Sequence, residues 1–120
     1  MNLDQYSFSC PKCKARLNND QTIELNTERQ NGDKGVIHLS VGIGDYNFTH
    51  EPKTKFVEGE IVEFYCPHCK SNLSAPQHKD FTLLKMDVDE NIQFDVIFSR
   101  KAGHRKTYVI NEDGIESYGA

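Results

Sequence analysis

Two stretches decide how this chain folds: Ser9-Cys10-Pro11-Lys12-Cys13-Lys14-Ala15-Arg16-Leu17 and Tyr65-Cys66-Pro67-His68-Cys69-Lys70-Ser71-Asn72-Leu73. They share Cys-Pro-x-Cys-Lys and a Leu four residues after the second Cys. Two residues between cysteines allow a tight turn that aims both sulfurs at one ion, with backbone N–H groups turned back toward the thiolates and Pro pre-setting the bend. Two such knuckles supply four sulfurs, enough to close a tetrahedral metal shell through Cys10, Cys13, Cys66 and Cys69.

Working outward, the 120 residues suit one compact domain or two small lobes sharing a core. The hydrophobic fraction is 37%, with seven Phe and five Tyr but no Trp, so the core is thin and gains from a metal staple. The N-terminus, Met1 to Phe8, lacks a charged segment followed by an apolar one, and no apolar run approaches membrane-spanning length. The expectation is a cytoplasmic protein without a membrane partner. Thiols there stay reduced, which favours metal or redox chemistry over disulfides and voids the triplets Asn47-Phe48-Thr49 and Asn72-Leu73-Ser74 as glycosylation sites.

Period-two alternation dominates, and no dozen residues carry a helical apolar face, so the chain reads as mostly β. Thr22 to Thr27 and Val36 to Val41 flank a turn-rich stretch at 29–35 and predict a hairpin. Gly42 to Thr54 reads as an irregular loop, Glu60 to Tyr65 as a strand entering the second knuckle, and Ser71 to Lys79 as a linker. Thr82 to Val88, Ile92 to Ser99, Lys106 to Ile110 and Ile115 to Tyr118 predict a four-stranded meander, with Ile92, Phe94, Val96 and Phe98 on one apolar face. Residues 1–75 are thus expected to form a metal-stapled lobe with a long inserted hairpin. Residues 80–120 form an antiparallel β-meander too small to stand alone, which packs on that lobe, on a second copy or on a partner. No internal repeat is evident beyond the two knuckles.

The knuckles resemble the zinc-ribbon group, in which two β-hairpin knuckles of the form CPxC clamp one zinc. The resemblance covers the two nine-residue motifs and the strand entering the second. It implies one structural Zn2+ and leaves the task of the domain open, because zinc ribbons serve many functions. The 52 residues between Cys13 and Cys66 exceed the roughly 15–20 of short ribbons. Each doubling of a loop costs only about 0.6 kcal/mol, against roughly 10–16 kcal/mol for structural zinc, so the insertion does not defeat the site.

Rival chemistries remain. A rubredoxin-like iron site also uses two CxxC knuckles, although Gly typically follows its second Cys where Lys14 and Lys70 stand here. A thioredoxin-like CxxC belongs at the start of a helix in a βαβ unit, a pattern this sequence lacks. Catalytic zinc keeps an open position, which four cysteines fill, so no enzyme is expected. His68 lies between ligands but points outward from its turn, and His38, His50, His78 and His104 show no ligand spacing. Asp87-Val88-Asp89-Glu90-Asn91 opens like a calcium loop but has Ile92 where Gly is required and Phe98 where Glu is required. Gly42-Ile43-Gly44 lacks the third glycine of a nucleotide-binding turn.

Charge completes the reading. With 14 basic and 18 acidic residues the net charge is −4, which disfavours binding through nucleic-acid phosphates. One basic cluster stands out, Arg100, Lys101, His104, Arg105 and Lys106 beside Tyr108. It is a contact candidate for phosphate or an acidic partner, or else a solvated hairpin tip. The expected function is a zinc-binding, non-enzymatic adaptor whose partner is another protein or a second copy of the chain. The alternative is a nucleic-acid-binding ribbon using residues 100–106.

Overall fold

The computed structural model describes residues 7–19, 22–40, 48–53, 56–76, 78–89, 92–103, 106–111 and 114–119. Among them the chain forms eleven strands and no helix. In order these are β1 (Ser7–Ser9), β2 (Asn18–Asn19), β3 (Thr22–Glu28), β4 (Lys34–Ser40), β5 (Phe48–Glu51), β6 (Glu63–Tyr65), β7 (Ser74–Ala75), β8 (His78–Asp89), β9 (Ile92–Ser99), β10 (Lys106–Asn111) and β11 (Gly114–Gly119). They build two antiparallel sheets. Sheet A runs β1-β8-β9-β10-β11, with β7 also on β8, and sheet B runs β2-β3-β4-β5, with β6 also on β3.

Each knuckle straddles the two sheets, in opposite senses. The first enters from sheet A through β1 and leaves into sheet B through β2. The second enters from sheet B through β6 and leaves into sheet A through β7. The registers obey the same exchange: Phe8 pairs with Met86 and Phe64 with Thr27, while Asn18 pairs with Ile23 and Ser74 with Thr82. The hairpins that follow also match, with Leu25 opposite Ile37 and Leu84 opposite Val96.

The internal repeat therefore extends well beyond the cysteine motifs, to a knuckle plus the β-hairpin after it. The sequence hides this because the offset between halves is 56 residues at the knuckles, Cys10 to Cys66, and 59 in the strands, Ile23 to Thr82. An irregular register between Ser74 and Ala75 absorbs the difference. Beyond this the side chains share only a period-two alternation.

The core lies between the sheets and is filled by equivalent pairs: Phe8 with Phe64, Leu17 with Leu73, Leu25 with Leu84, and Ile37 with Val96, all buried. β1 and β7, from the stretch expected as a separate lobe, complete the sheet built by residues 78–119, so backbone hydrogen bonds bind the two segments together. Part of the apolar face of β9 meets residues of the other sheet. Val96 is buried, and Phe98 meets Phe64 in a T-shaped contact with ring centroids 5.5 Å apart. Ile92 departs from that face and is 45% exposed, because it lies at the hairpin end of β9, beyond the reach of sheet B.

Two irregular segments turn out to be paired. Phe48–Glu51, inside the expected loop 42–54, is strand β5 on the edge of sheet B, with His50 opposite Ile37; residues 41–47 and 54–55 lie outside the described set. The expected linker Ser71 to Lys79 contains β7 and the start of β8, separated by a turn at Pro76. Strands of two to four residues are too short for alternation to register in a sequence.

Candidate metal centre

The two knuckles repeat one backbone design. Cys10 N–H donates to Ala15 O at 3.0 Å and Lys14 N–H to Cys10 O at 3.0 Å; in the second, Cys66 N–H donates to Ser71 O at 3.0 Å and Lys70 N–H to Cys66 O at 2.9 Å. The turn closes through a residue in the left-handed region, Lys14 at φ 65° and Lys70 at φ 64°. That region disfavours side chains with a Cβ, yet lysine occupies it in both turns. The next hydrogen bonds hand each knuckle to its sheets: Leu17 N–H to Phe8 O at 2.8 Å and Leu73 N–H to Phe64 O at 2.9 Å.

This design brings the four cysteine sulfurs within 4.8 Å of one another. Cys10 Sγ lies 3.8 Å from Cys69 Sγ, and Cys13 Sγ lies 3.7 Å from Cys66 Sγ, so the close pairs run between knuckles. A tetrahedron of sulfurs at about 2.3 Å from a central zinc has edges of roughly 3.8 Å. The cluster is thus positioned to hold one metal ion, with the ligands expected from the sequence.

The environment suits thiolates. Cys10 Sγ accepts N–H bonds from Lys12 at 3.3 Å and Cys13 at 3.4 Å, and Cys66 Sγ accepts them from His68 at 3.3 Å and Cys69 at 3.5 Å. Cys10 and Cys66 are buried in the core, whereas Cys13 and Cys69 are exposed. Burial pushes the Cys66 thiol up to about 12, so a cation is needed to draw off its proton at neutral pH. Cys69 is lowered to about 6, first by the Ser71 hydroxyl and then by the Ser71 backbone N–H. Ala15 occupies the Ser71 position in the first knuckle and carries no hydroxyl. His68 is exposed and stands outside the sulfur cluster.

Of the basic cluster, Arg100 and Lys101 have acidic neighbours within the fold. Arg100 is buried, its guanidinium donating to Glu63 Oε2 at 2.7 Å and to the Lys79 carbonyl, so it is committed to joining the two sheets rather than to a partner. Lys101 Nζ lies 3.8 Å from Asp80. Lys106 is half-buried at the start of β10, and His104 and Arg105 lie outside the described residues. A sequence cannot mark Arg100 as internal, because the Glu63 that holds it is 37 positions away.

Sequence reasoning missed a second polar centre. Glu60, buried ahead of β6, receives Arg29 through Nη2 at 2.9 Å and Nε at 3.3 Å, and also the Val57 N–H at 2.7 Å. The Arg29 guanidinium rests over the Phe56 ring at 5.5 Å. No helix among the described residues is long and apolar enough to cross a membrane. The chain matches no family model, no curated protein and no solved structure.

Proposed function

We propose that the chain is a non-enzymatic protein-interaction module of zinc-ribbon type, held together by one structural Zn2+ on Cys10, Cys13, Cys66 and Cys69. The observation that carries this reading is the convergence of four sulfurs at separations suited to a tetrahedral ion. Zinc is preferred to iron because Lys14 and Lys70 stand where rubredoxin-like knuckles carry Gly. Four thiolates close the coordination shell, so the ion has no open position for a substrate or a water nucleophile. Its work is structural: it ties the start of the chain to its middle and fixes both knuckles between the sheets. Reduced thiols in this role fit a cytoplasmic setting.

A protein partner accords with the net charge of −4. The engagement of Arg100 with Glu63 and of Lys101 with Asp80 favours a protein partner over the nucleic-acid alternative.

Elemental analysis of native protein should give one zinc per chain, and chelation should unfold it, because site assembly contributes folding free energy. Cys66→Ser should likewise unfold the protein. Iron in place of zinc would overturn the metal assignment, and a metal-free protein with an unchanged far-UV spectrum would overturn the structural role.

A further inference from the structure

The two knuckles hold an unbalanced charge. Their nine-residue motifs contain Lys12, Lys14, Arg16 and Lys70 but none of the 18 acidic residues, while only ten of the 14 basic residues lie in the rest of the chain. Each of the four cations is exposed and stands within three residues of a cysteine in the sulfur cluster. Among the described residues none of them is paired with a carboxylate, and Lys70 Nζ donates to the Pro67 carbonyl of its own turn at 2.9 Å.

The metal does not use up this charge. Four thiolates around one Zn2+ leave two negative charges in excess, which two of the cations offset and all four overturn. Lys14 and Lys70 also stand at a conformational cost, at φ 65° and 64°, where glycine is free of strain. Among the described residues, neither side chain reaches another element through a hydrogen bond or ion pair. A charged side chain held in both turns where glycine fits better, and engaged by nothing elsewhere in the chain, points to a use outside it.

We propose that the knuckle surface is the docking site for a short acidic segment of the protein partner, whose carboxylates engage the lysines of both turns. This names the chemistry of the partner and rests on the interaction-module reading above. Two observations favour a short peptide over a nucleic-acid strand. Carboxylate residues begin where the knuckles end: the Glu24 N–H donates to Leu17 O at 3.0 Å, Asn72 Nδ2 donates at 2.7 Å to Glu63, which Arg100 shares, and Asp87 stands opposite Ser7. A phosphate chain running off the basic surface enters that acidic surround, whereas a segment of a few residues ends before it.

The second observation is the lack of a stacking surface. Tyr65 is the one aromatic residue in the two motifs and is half-buried, so the knuckles offer no exposed ring on which bases could stack.

Fluorescence anisotropy with a labelled hexaglutamate peptide and a labelled thymidine hexamer tests this on the full chain, with metal content and urea resistance measured on the same samples. The wild type should bind hexaglutamate more tightly than the hexamer, and less tightly as salt rises. Lys14→Gly combined with Lys70→Gly relieves the two strained turns, so this variant should keep its metal and resist urea at least as well as wild type. Its affinity for hexaglutamate should nevertheless fall roughly 2- to 30-fold, the effect of two exposed charge pairs. Lys79→Gln combined with Lys101→Gln removes as many charges outside the knuckles and should leave binding unchanged. If the glycine pair loses its fold, Lys12→Gln combined with Arg16→Gln is read in the same way. Hexaglutamate left unbound at about 1 mM protein, or bound equally well by the knuckle variant, would overturn this inference alone. A thymidine hexamer that binds more tightly, and is weakened by the same variant, would overturn the protein-partner reading with it.

Discussion

Thr82 takes, in the second half of the molecule, the place that Ile23 holds in the first: Ser74 pairs with Thr82 as Asn18 pairs with Ile23. Ile23 fills its place with apolar atoms and is buried. Thr82 is fully buried, and its hydroxyl has no hydrogen-bond partner among the described residues. An unsatisfied buried hydroxyl costs roughly 1–3 kcal/mol, whereas Val preserves the shape of Thr without it. Thr82→Val should therefore stabilise the protein by about 1 kcal/mol. Chemical denaturation checks this, and a midpoint that falls would show that the hydroxyl is satisfied in solution.

Gly35 lies against His50, where β4 meets β5. A Cβ at Gly35 would come within 2.5 Å of His50 Cε1 and 2.6 Å of the Glu51 carbonyl oxygen. His50 cannot yield easily. Its ring is fixed at both nitrogens, Nδ1 2.7 Å from the Pro52 carbonyl and Nε2 2.7 Å from the Thr27 hydroxyl, and it meets Phe56 edge-on at 5.0 Å. Gly35→Ala should destabilise the protein by about 1–3 kcal/mol, the usual cost of overpacking. The damage should centre on the β4–β5 pair, visible as faster amide exchange at His50 than at Leu84. A variant as stable as wild type would mean that β5 is displaced at little cost.

The contrast between these two sites shows what the sequence can carry. The four cysteines were legible because metal ligation needs one residue type at one spacing, and both knuckles state it within nine residues. Long strands such as β3, β4 and β9 were legible from alternation over six or more positions. The exchange of knuckles between sheets was not, since it rests on pairings such as Phe8 with Met86 that no local pattern encodes. The same holds for polar residues recruited inward. Arg100 sits in a basic turn, and Glu60 precedes a strand at ordinary spacing. Each becomes internal only because its partner arrives from a distant part of the chain.

Glu60 makes the last of these relations measurable through pH. The Arg29 guanidinium, and after it the Val57 N–H, hold the Glu60 carboxyl below its ordinary value of 4.5, against the opposing effect of burial. A carboxyl depressed in the folded state binds its proton more readily once unfolded. Its contribution to stability is therefore complete above the ordinary carboxylate value and is lost as pH falls through the lower, folded value. Glu60→Gln removes that proton linkage along with the ion pair. The variant should be less stable than wild type at pH 7, and the gap should narrow below about pH 4.5 and close once Glu60 is protonated in both states of the wild type. Urea denaturation of both proteins between pH 7 and about pH 3 measures the gap directly. If it stays constant with pH, the carboxylate charge of Glu60 contributes nothing to the fold, and Arg29 is held in place by Phe56 and packing alone.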